Sequence, residues 1–145
     1  MDTDTLDFTR TIAASPTRVL TLLTDSDARQ AWNSPGEGFT VTVTHPASAA
    51  PGARETALVT GNGEPDTTVH TDWTSVTDTL VAYAETLEVE GEPIAASFAS
   101  TTLEPAGDGT QITLHIALTS FAGPEMLEGY KMGCQAAIDA LAQLT

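Results

Sequence analysis

The sequence predicts an α+β fold in which a curved, seven-stranded antiparallel sheet wraps around one long C-terminal helix. Three observations lead to this prediction. The opening run alternates apolar and polar residues, and six later runs are rich in Thr, Val and aromatic residues, both of which are typical of β-strands. Turn-forming residues separate the later runs, so consecutive strands are expected to pair as an antiparallel meander. A long stretch of helical spacing follows, and this helix can cover one face of the sheet.

The first predicted elements are a strand and two short helices. Residues 6–12 alternate with a period of two, which indicates a strand. Ser15 directly precedes Pro16, and an N-cap residue followed by proline at the first helical position marks the start of a helix. Asp25 is suited to cap a second short helix, which is expected to end before Pro35.

Six predicted strands follow, at residues 39–44, 54–60, 68–76, 80–89, 94–104 and 111–118. The links between them contain turn residues, and two links, at residues 61–63 and 107–109, have the glycine-rich pattern of tight hairpins. No internal repeat or low-complexity linker interrupts the chain, so we predict a single domain over residues 1–145.

The last predicted helix runs for about twenty residues, since apolar side chains recur at helical spacing from Met126 to the end of the chain. Gly129 and Gly133 lie four positions apart within it. Each costs the helix roughly 1 kcal/mol relative to alanine. Glycines at such positions often permit a close backbone approach or leave space for another group.

Several segments resemble the START-like superfamily, also called SRPBCC, and specifically the branch named after the activator of Hsp90 ATPase. The resemblance begins with FTRTIAASPTRV at residues 8–19 and continues through Trp32. Later segments agree in the same order: PGAR at 51–54, LEPAGDGTQITL at 103–114 and GCQAAIDAL at 133–141. The similarity covers nearly the whole chain. It implies a helix-grip fold, also known as Bet v 1-like, whose sheet and C-terminal helix enclose a mostly apolar pocket.

Members of this superfamily bind lipids, sterols, plant hormones or polyketides, and some act as cyclases, so the fold implies a pocket without naming a reaction. The sequence departs from the family pattern within the predicted pocket. Cys134 stands where a large aromatic residue is usual, and Ala82 and Ala84 occupy a strand that more often carries aromatic residues. Smaller side chains at these positions are expected to enlarge the pocket.

The charge of the chain excludes two classes of partner. Five Lys and Arg residues stand against 20 Asp and Glu residues, a formal net charge of -15. Phosphate backbones and anionic lipids repel such a chain, so we expect no nucleic-acid binding and no membrane insertion. Adaptation to salt and a biased genome both explain this acidity at the sequence level. The single cysteine excludes an internal disulfide, and the acidic N-terminus does not suit a signal peptide, so a cytoplasmic protein is expected.

Ten residues are predicted to line the pocket: Trp32, Phe39, His70, Trp73, Tyr83, Phe98, Met126, Tyr130, Cys134 and Ala137. The last four share one face of the C-terminal helix by their spacing. Tyr130 is the best polar group on that face for a hydrogen bond to a ligand. For the aromatic residues on strands, the register decides which side chains point inward.

His70 and Asp72 lie two positions apart on one predicted strand and therefore share a face. One hypothesis is a base near a ligand, in which the carboxylate sets the imidazole tautomer; the other is a solvated polar face. No spacing typical of a hydrolytic triad or of a metal site occurs, so no catalytic residue, metal or cofactor is predicted.

The expected function is binding of a small hydrophobic or amphipathic molecule, such as a lipid, sterol or polyketide-like compound, between the C-terminal helix and the sheet. One alternative is an enzyme of the polyketide cyclase or aromatase kind that uses His70, Asp72 or Tyr130 as acid and base. Another is a protein-interaction domain similar to the activator of Hsp90. A homodimer formed through the outer sheet face is compatible with all three hypotheses.

Overall fold

The computed structural model describes residues 1–144, which form seven strands and three helices. Its strands are β1 (Asp2–Ile12), β2 (Phe39–His45), β3 (Arg54–Gly61), β4 (Glu64–Val76), β5 (Leu80–Val89), β6 (Glu92–Ala106) and β7 (Gly109–Ser120). Its helices are α1 (Pro16–Thr24), α2 (Ser26–Trp32) and α3 (Pro124–Gln143). The predicted α+β helix-grip fold is therefore confirmed, with both short helices after the first strand.

All seven strands belong to one antiparallel sheet with the order β1-β7-β6-β5-β4-β3-β2. Strands β2 to β7 form the predicted meander, and β1 adds to the far edge by pairing with β7. Alternate residues point to opposite faces of the sheet. On β7, Leu114 and Ile116 are buried on the face covered by α3, whereas His115 between them is exposed and bonds to Asp7 on β1 at 2.7 Å.

Tight turns place the strands in register, and one of them lengthens β4 beyond its predicted start. Asn62 and Gly63 connect β3 to β4 with φ angles of 53° and 70°, the left-handed conformations that a two-residue hairpin turn needs. Pairing begins immediately beside this turn, with Gly61 opposite Glu64. The strand therefore starts four residues before the predicted position at Thr68.

Two side chains begin the short helices as the sequence predicts. Ser15 accepts a hydrogen bond from the backbone N–H of Arg18 at 3.2 Å, and Asp25 accepts one from Ala28 at 3.0 Å. These caps hold α1 and α2 over one end of the sheet, while α3 packs across β1, β7 and β6.

The buried apolar residues form two clusters. The first lies beneath α1 and α2 and includes Ile12, Trp32 and Trp73. The second lies beneath α3 and includes Leu114 and Leu118 on β7. Space remains between the clusters on the concave face of the sheet, and the functional site is built around it.

Candidate functional site

A cavity of about 710 Å³ lies between α3 and the concave face of the sheet. Its volume falls within the range of roughly 300–1,000 Å³ that is usual for small-molecule sites. Most of its wall is aliphatic or aromatic. The wall comes mainly from α3, from strands β2 to β7, and from the end of α2 with the link that follows it.

One strand supplies a continuous stripe of the wall. The inward residues of β5 are Val81, Tyr83, Glu85, Leu87 and Val89. Glu85 is the one charged member of this stripe, with apolar or aromatic neighbours two positions away on either side. Glu85 is not among the residues predicted from the sequence, although an acid in an otherwise apolar stripe of period two is a signal that could have identified it.

Glu85 belongs to a hydrogen-bonded group of three side chains in the cavity wall. The Tyr130 hydroxyl on α3 donates to Glu85 Oε1 at 2.5 Å. Ser97 Oγ on β6 lies 2.7 Å from the same phenolic oxygen. Because the phenol has one hydrogen and gives it to the carboxylate, Ser97 is the donor in the second bond. The chain Ser97 to Tyr130 to Glu85 therefore has a fixed direction and ends on an acid.

Burial controls the protonation of these groups. It raises the pKa of Glu85, although the Tyr130 hydrogen bond and the charge of Arg29 act in the opposite direction. Burial and the neighbouring Glu85 charge raise the pKa of Tyr130 well above 10, so its phenol stays protonated near neutral pH. Burial likewise raises the pKa of Tyr83 to about 12. The cavity thus holds neutral phenols beside a carboxyl group that gives up its proton reluctantly.

The thiol of Cys134 is a wall group of the cavity without nucleophilic character. Burial, and then the charge of Glu85, raise its pKa. A thiolate is the reactive form of cysteine, so a raised pKa makes the side chain inert at neutral pH.

The opening of the cavity is marked by those wall residues that are exposed to solvent. They come from the start of β4, from the link between β7 and α3, and from the first turns of α3: Glu64, Pro65, Ala122, Glu125 and Gly129. At Gly129 an added Cβ atom would meet nothing within 4 Å, whereas at Gly133 it would lie 3.2 Å from Cβ of Pro35. One glycine therefore leaves the opening free, and the other lets α3 approach the link after α2.

The structure brings seven of the ten predicted residues together around this cavity: Trp32, Phe39, Tyr83, Met126, Tyr130, Cys134 and Ala137. Trp32 is held by its indole N–H, which donates to the backbone oxygen of Leu22 at 2.7 Å. Whether these side chains contact a ligand stays a prediction.

The predicted placement of two residues at the cavity is wrong because their strand parity faces outward. His70 lies on the outer face of β4, where Nδ1 is 2.9 Å from the Thr56 hydroxyl and Nε2 is 3.3 Å from Glu88. Its neighbour Asp72 shares this face and pairs with Arg54. Phe98 also points outward from β6 and is 46% exposed. The structure therefore places His70 and Asp72 on a polar outer face rather than at the cavity.

Two further expectations are corrected. Trp73 does face the concave side, but it is 2% exposed and packs in the cluster beneath α1 and α2, with its ring 4.9 Å from the Arg29 guanidinium. Ala82 and Ala84 alternate with the inward stripe of β5 and are not part of the cavity wall. These two small residues therefore do not enlarge the cavity, whereas Cys134 does lie in its wall.

A buried ion pair closes the other end of the concave face. Arg29 on α2 is 1% exposed and donates from Nε to Glu55 on β3 at 3.1 Å. Its remaining nitrogens donate to the backbone oxygen of Leu23 at 3.2 Å and to the Thr71 hydroxyl at 3.4 Å. Ser26 donates to the second carboxylate oxygen of Glu55 at 2.9 Å. None of these contacts was predicted from the sequence.

None of the helices in residues 1–144 is long and apolar enough to cross a membrane. Within the same residues, no group of three or more His, Cys, Asp and Glu side chains is arranged to hold a metal ion.

The comparisons with known proteins agree with this architecture. Residues 3–144 match the family model described as polyketide cyclase / dehydrase and lipid transport. No curated protein sequence matches the chain.

Solved structures show the same fold at low sequence identity. Mll3558 from Rhizobium loti is 23% identical, with a TM-score of 0.80 over 97% of this chain and 96% of that protein. Protein CV1439 from Chromobacterium violaceum is 22% identical, with a TM-score of 0.81 over 97% and 95% of the two chains. The AHSA1 protein from Silicibacter pomeroyi is 17% identical, with a TM-score of 0.72 over 96% and 95%.

Proposed function

Because this chain belongs to the polyketide cyclase/dehydrase and lipid transport family, we propose that it binds a small, mainly apolar molecule in the cavity between α3 and the sheet. The family lies in the START-like superfamily that the sequence resembles. The observation that carries the proposal is a cavity of about 710 Å³ whose mainly apolar wall contains the hydrogen-bonded side chains of Ser97, Tyr130 and Glu85.

The packing of the two clusters supports an occupant. Protein interiors are close-packed, and voids much larger than a water molecule are few because their lining loses dispersion contacts. A ligand that fills this space gains roughly 25 cal/mol for each Å² of apolar surface it removes from water. In this proposal the apolar wall supplies most of the affinity, and Glu85, Tyr130 and Ser97 orient the polar end of the ligand.

Gly129→Phe tests the proposal, because it adds a ring where the opening has free space. The neutral dye Nile red, which fluoresces in apolar surroundings, is the probe. We expect the wild type to bind it and Gly129→Phe to weaken binding about tenfold, equivalent to 1.4 kcal/mol. Met132→Phe adds a ring to the exposed side of the same helix, since Met132 is 72% exposed, and should bind like the wild type. Equal binding by all three folded proteins, or none by the wild type, would rule the cavity out as the binding site.

A second candidate function is a cyclase or aromatase, and the direct contact between an acid and a phenol inside the cavity favours it. Ring closure of a poly-β-ketone needs a group that takes a proton from carbon and another that donates to a carbonyl oxygen. Glu85 and Tyr130 fit these two roles better than the outward-facing His70. With a linear poly-β-ketone as substrate, Tyr130→Phe should abolish cyclised product, detected by mass spectrometry, while affinity changes little. Parallel loss of affinity and product would count against catalysis.

The remaining hypotheses stay predictions. They are a protein-interaction role like that of the Hsp90 activator, a homodimer through the outer face of the sheet, and a cytoplasmic location. Cross-linking and recovery of partners at low salt tests the first of them, since an acidic surface would recruit a basic protein.

A further inference from the structure

We propose that the ligand is a lipophilic cation, an apolar body that carries a protonated amine and places it on Glu85. This inference rests on the proposed function, and it names the chemical class of the molecule that the cavity takes. Three features of the structure carry it: the signs of the charges in the wall, the engagement of the nearest arginine, and the open oxygen of Glu85.

The charged groups of the cavity wall all have one sign. Among the described lining residues the ionisable carboxyl groups are Glu64, Glu85 and Glu125, and none of the lining residues is Lys, Arg or His. A fatty acid or another anion would therefore bring a negative charge into an apolar space without a cation to meet it. Such a transfer is strongly unfavourable. The wall therefore favours a cationic ligand over an anionic one.

Arg29 is the nearest buried cation, and each of its three nitrogens already donates one hydrogen bond. The guanidinium lies behind the wall, 5.2 Å from the ring of Tyr83, and is not itself part of the lining. Its nitrogens donate to Glu55, to the Leu23 backbone oxygen and to Thr71. Its charge is balanced locally by Glu55, and it lies behind the wall, so it is not placed to meet an anion inside the cavity.

Glu85 has one oxygen without a protein partner. Oε1 accepts the hydrogen bond from Tyr130, and no described residue donates to Oε2. The fully buried side-chain atom without a partner in residues 1–144 is Nε1 of Trp73, so Glu85 Oε2 is not sealed from the cavity. An open carboxylate oxygen in an apolar wall accepts a hydrogen bond from a ligand, and an ammonium donor makes the strongest such bond.

The wider electrostatics act in the same direction. The chain carries a formal net charge of -15, which raises the local concentration of cations around the protein. Glu64 and Glu125 are exposed and stand at the opening of the cavity, where an arriving cation meets them first. Inside, an ammonium supplies an opposite charge in direct contact with Glu85, whereas Arg29 acts on this carboxyl group only from a distance.

The test uses decylamine, decanol and decanoate, whose alkyl chains match while their head groups differ. Each competes with Nile red for the wild-type protein at neutral pH, below the concentration at which it forms micelles. We expect the amine to bind about tenfold more tightly than the alcohol, and the acid to bind most weakly. The preference should persist in 0.5 M NaCl, because added salt screens distant surface charges far more than a contact inside the cavity.

Two variants of β5 separate the proposed contact from net charge. Glu85→Gln removes the charge inside the cavity and keeps the shape of the side chain, so it should cost the amine its tenfold advantage and leave decanol nearly unchanged. Glu88→Gln removes the same unit of charge from the outer face of the same strand, where Glu88 pairs with His70, and should keep the wild-type ranking.

The possible outcomes separate this inference from the function on which it rests. Decanoate binding as tightly as the amine, or no displacement by any of the three compounds while Nile red binds, would overturn the cationic ligand and leave the cavity proposal intact. An amine preference that both glutamine variants lose equally would also overturn it, since surface charge would then be the cause. Failure of Nile red itself would overturn the cavity proposal. If Glu85→Gln does not fold, the ranking on the wild type in 0.5 M NaCl decides.

Discussion

Two glutamates lie on the concave face of the sheet, Glu55 on β3 and Glu85 on β5, and their surroundings differ. Both oxygens of Glu55 have a donor, Arg29 at 3.1 Å and Ser26 at 2.9 Å, and its side chain is 4% exposed. Glu85 has a bond from Tyr130 to one oxygen and keeps the other open to the cavity. One glutamate, Glu55, is thus part of the packed half of the concave face, and the other, Glu85, lines the cavity in the open half.

The difference comes from the helix that covers each half. α2 places the guanidinium of Arg29 over Glu55, and the rings of Trp32, Trp73 and Tyr83 surround that cation within 6 Å. α3 presents Tyr130 together with two glycines and therefore leaves volume unfilled. The sheet provides a curved surface in both halves, and the helix side chains decide which part becomes core and which part becomes a site.

Arg29→Met is expected to have the largest effect on stability, because it breaks the buried ion pair with Glu55. It removes the positive charge and leaves Glu55 buried without a counter-ion, which typically costs about 3–5 kcal/mol. We expect a loss of this size in the free energy of unfolding measured with urea, and a melting temperature lower by roughly 10 °C. Arg54→Met breaks the exposed pair with Asp72 and should cost less than about 1 kcal/mol. Similar losses of stability for the two variants would mean that the buried ion pair of Arg29 and Glu55 stabilises the fold no more than an exposed pair does.

Glu85→Gln is expected to change how the free energy of unfolding depends on pH. Folding raises the pKa of Glu85 above its ordinary 4.5, so the folded protein keeps this proton to a higher pH than the unfolded chain. The stabilisation by Glu85 is complete below about pH 4.5 and is lost as the pH rises through the pKa of the folded state. The free energy of unfolding of the variant should therefore increase relative to wild type as pH rises.

Urea unfolding between pH 4 and pH 8 measures this difference, and Glu88→Gln supplies the background slope for the loss of one charge from the outer face. We expect a smaller effect than that of Arg29→Met, because Glu85 reaches the cavity and an amide oxygen still accepts the Tyr130 bond. A difference in the free energy of unfolding that stays flat or falls with pH would mean that folding does not raise the pKa of Glu85.

Local patterns were sufficient to predict most of the fold. The predicted strand at residues 80–89 coincides with β5, and the last helix has the predicted length of twenty residues, because periodicity and turn chemistry act over short stretches of chain. Alternation within one strand did not settle which side chains reach the cavity. Ile94 and Phe98 have the same parity on β6, yet Ile94 lies in the cavity wall and Phe98 is 46% exposed.

Contacts between distant residues limited prediction of the site. Arg29 and Glu55 are 26 positions apart, and Glu85 and Tyr130 are 45 apart. Tyr130 was predicted as the polar group of the cavity from its helical face, but its partners depend on the register of β5 and β6 beneath α3. With 20 acidic residues in the chain, composition offers no means to single out Glu55 and Glu85. Only the apolar stripe around Glu85 could have marked one of them.

The smallest expected effect concerns the two glycines of α3, which mark the boundary between the filled and the open halves. Replacing glycine by alanine inside a helix stabilises it by about 0.5–1 kcal/mol when the new methyl group has space. Gly129→Ala meets that condition, because its Cβ would touch nothing within 4 Å. At Gly133 the new atom would lie 3.2 Å from Cβ of Pro35, so the link after α2 must move and part of the gain is lost.

The melting temperatures of the two alanine variants therefore show where along α3 the free space begins. Gly129→Ala should melt about 2–4 °C above the wild type, and Gly133→Ala should gain less or lose stability. An equal gain at both positions would show that α3 does not rest on Pro35 at Gly133, and that the opening extends further along the helix than Gly129. A gain at Gly133 alone would mean that the free space beside α3 lies at Gly133 and not at Gly129.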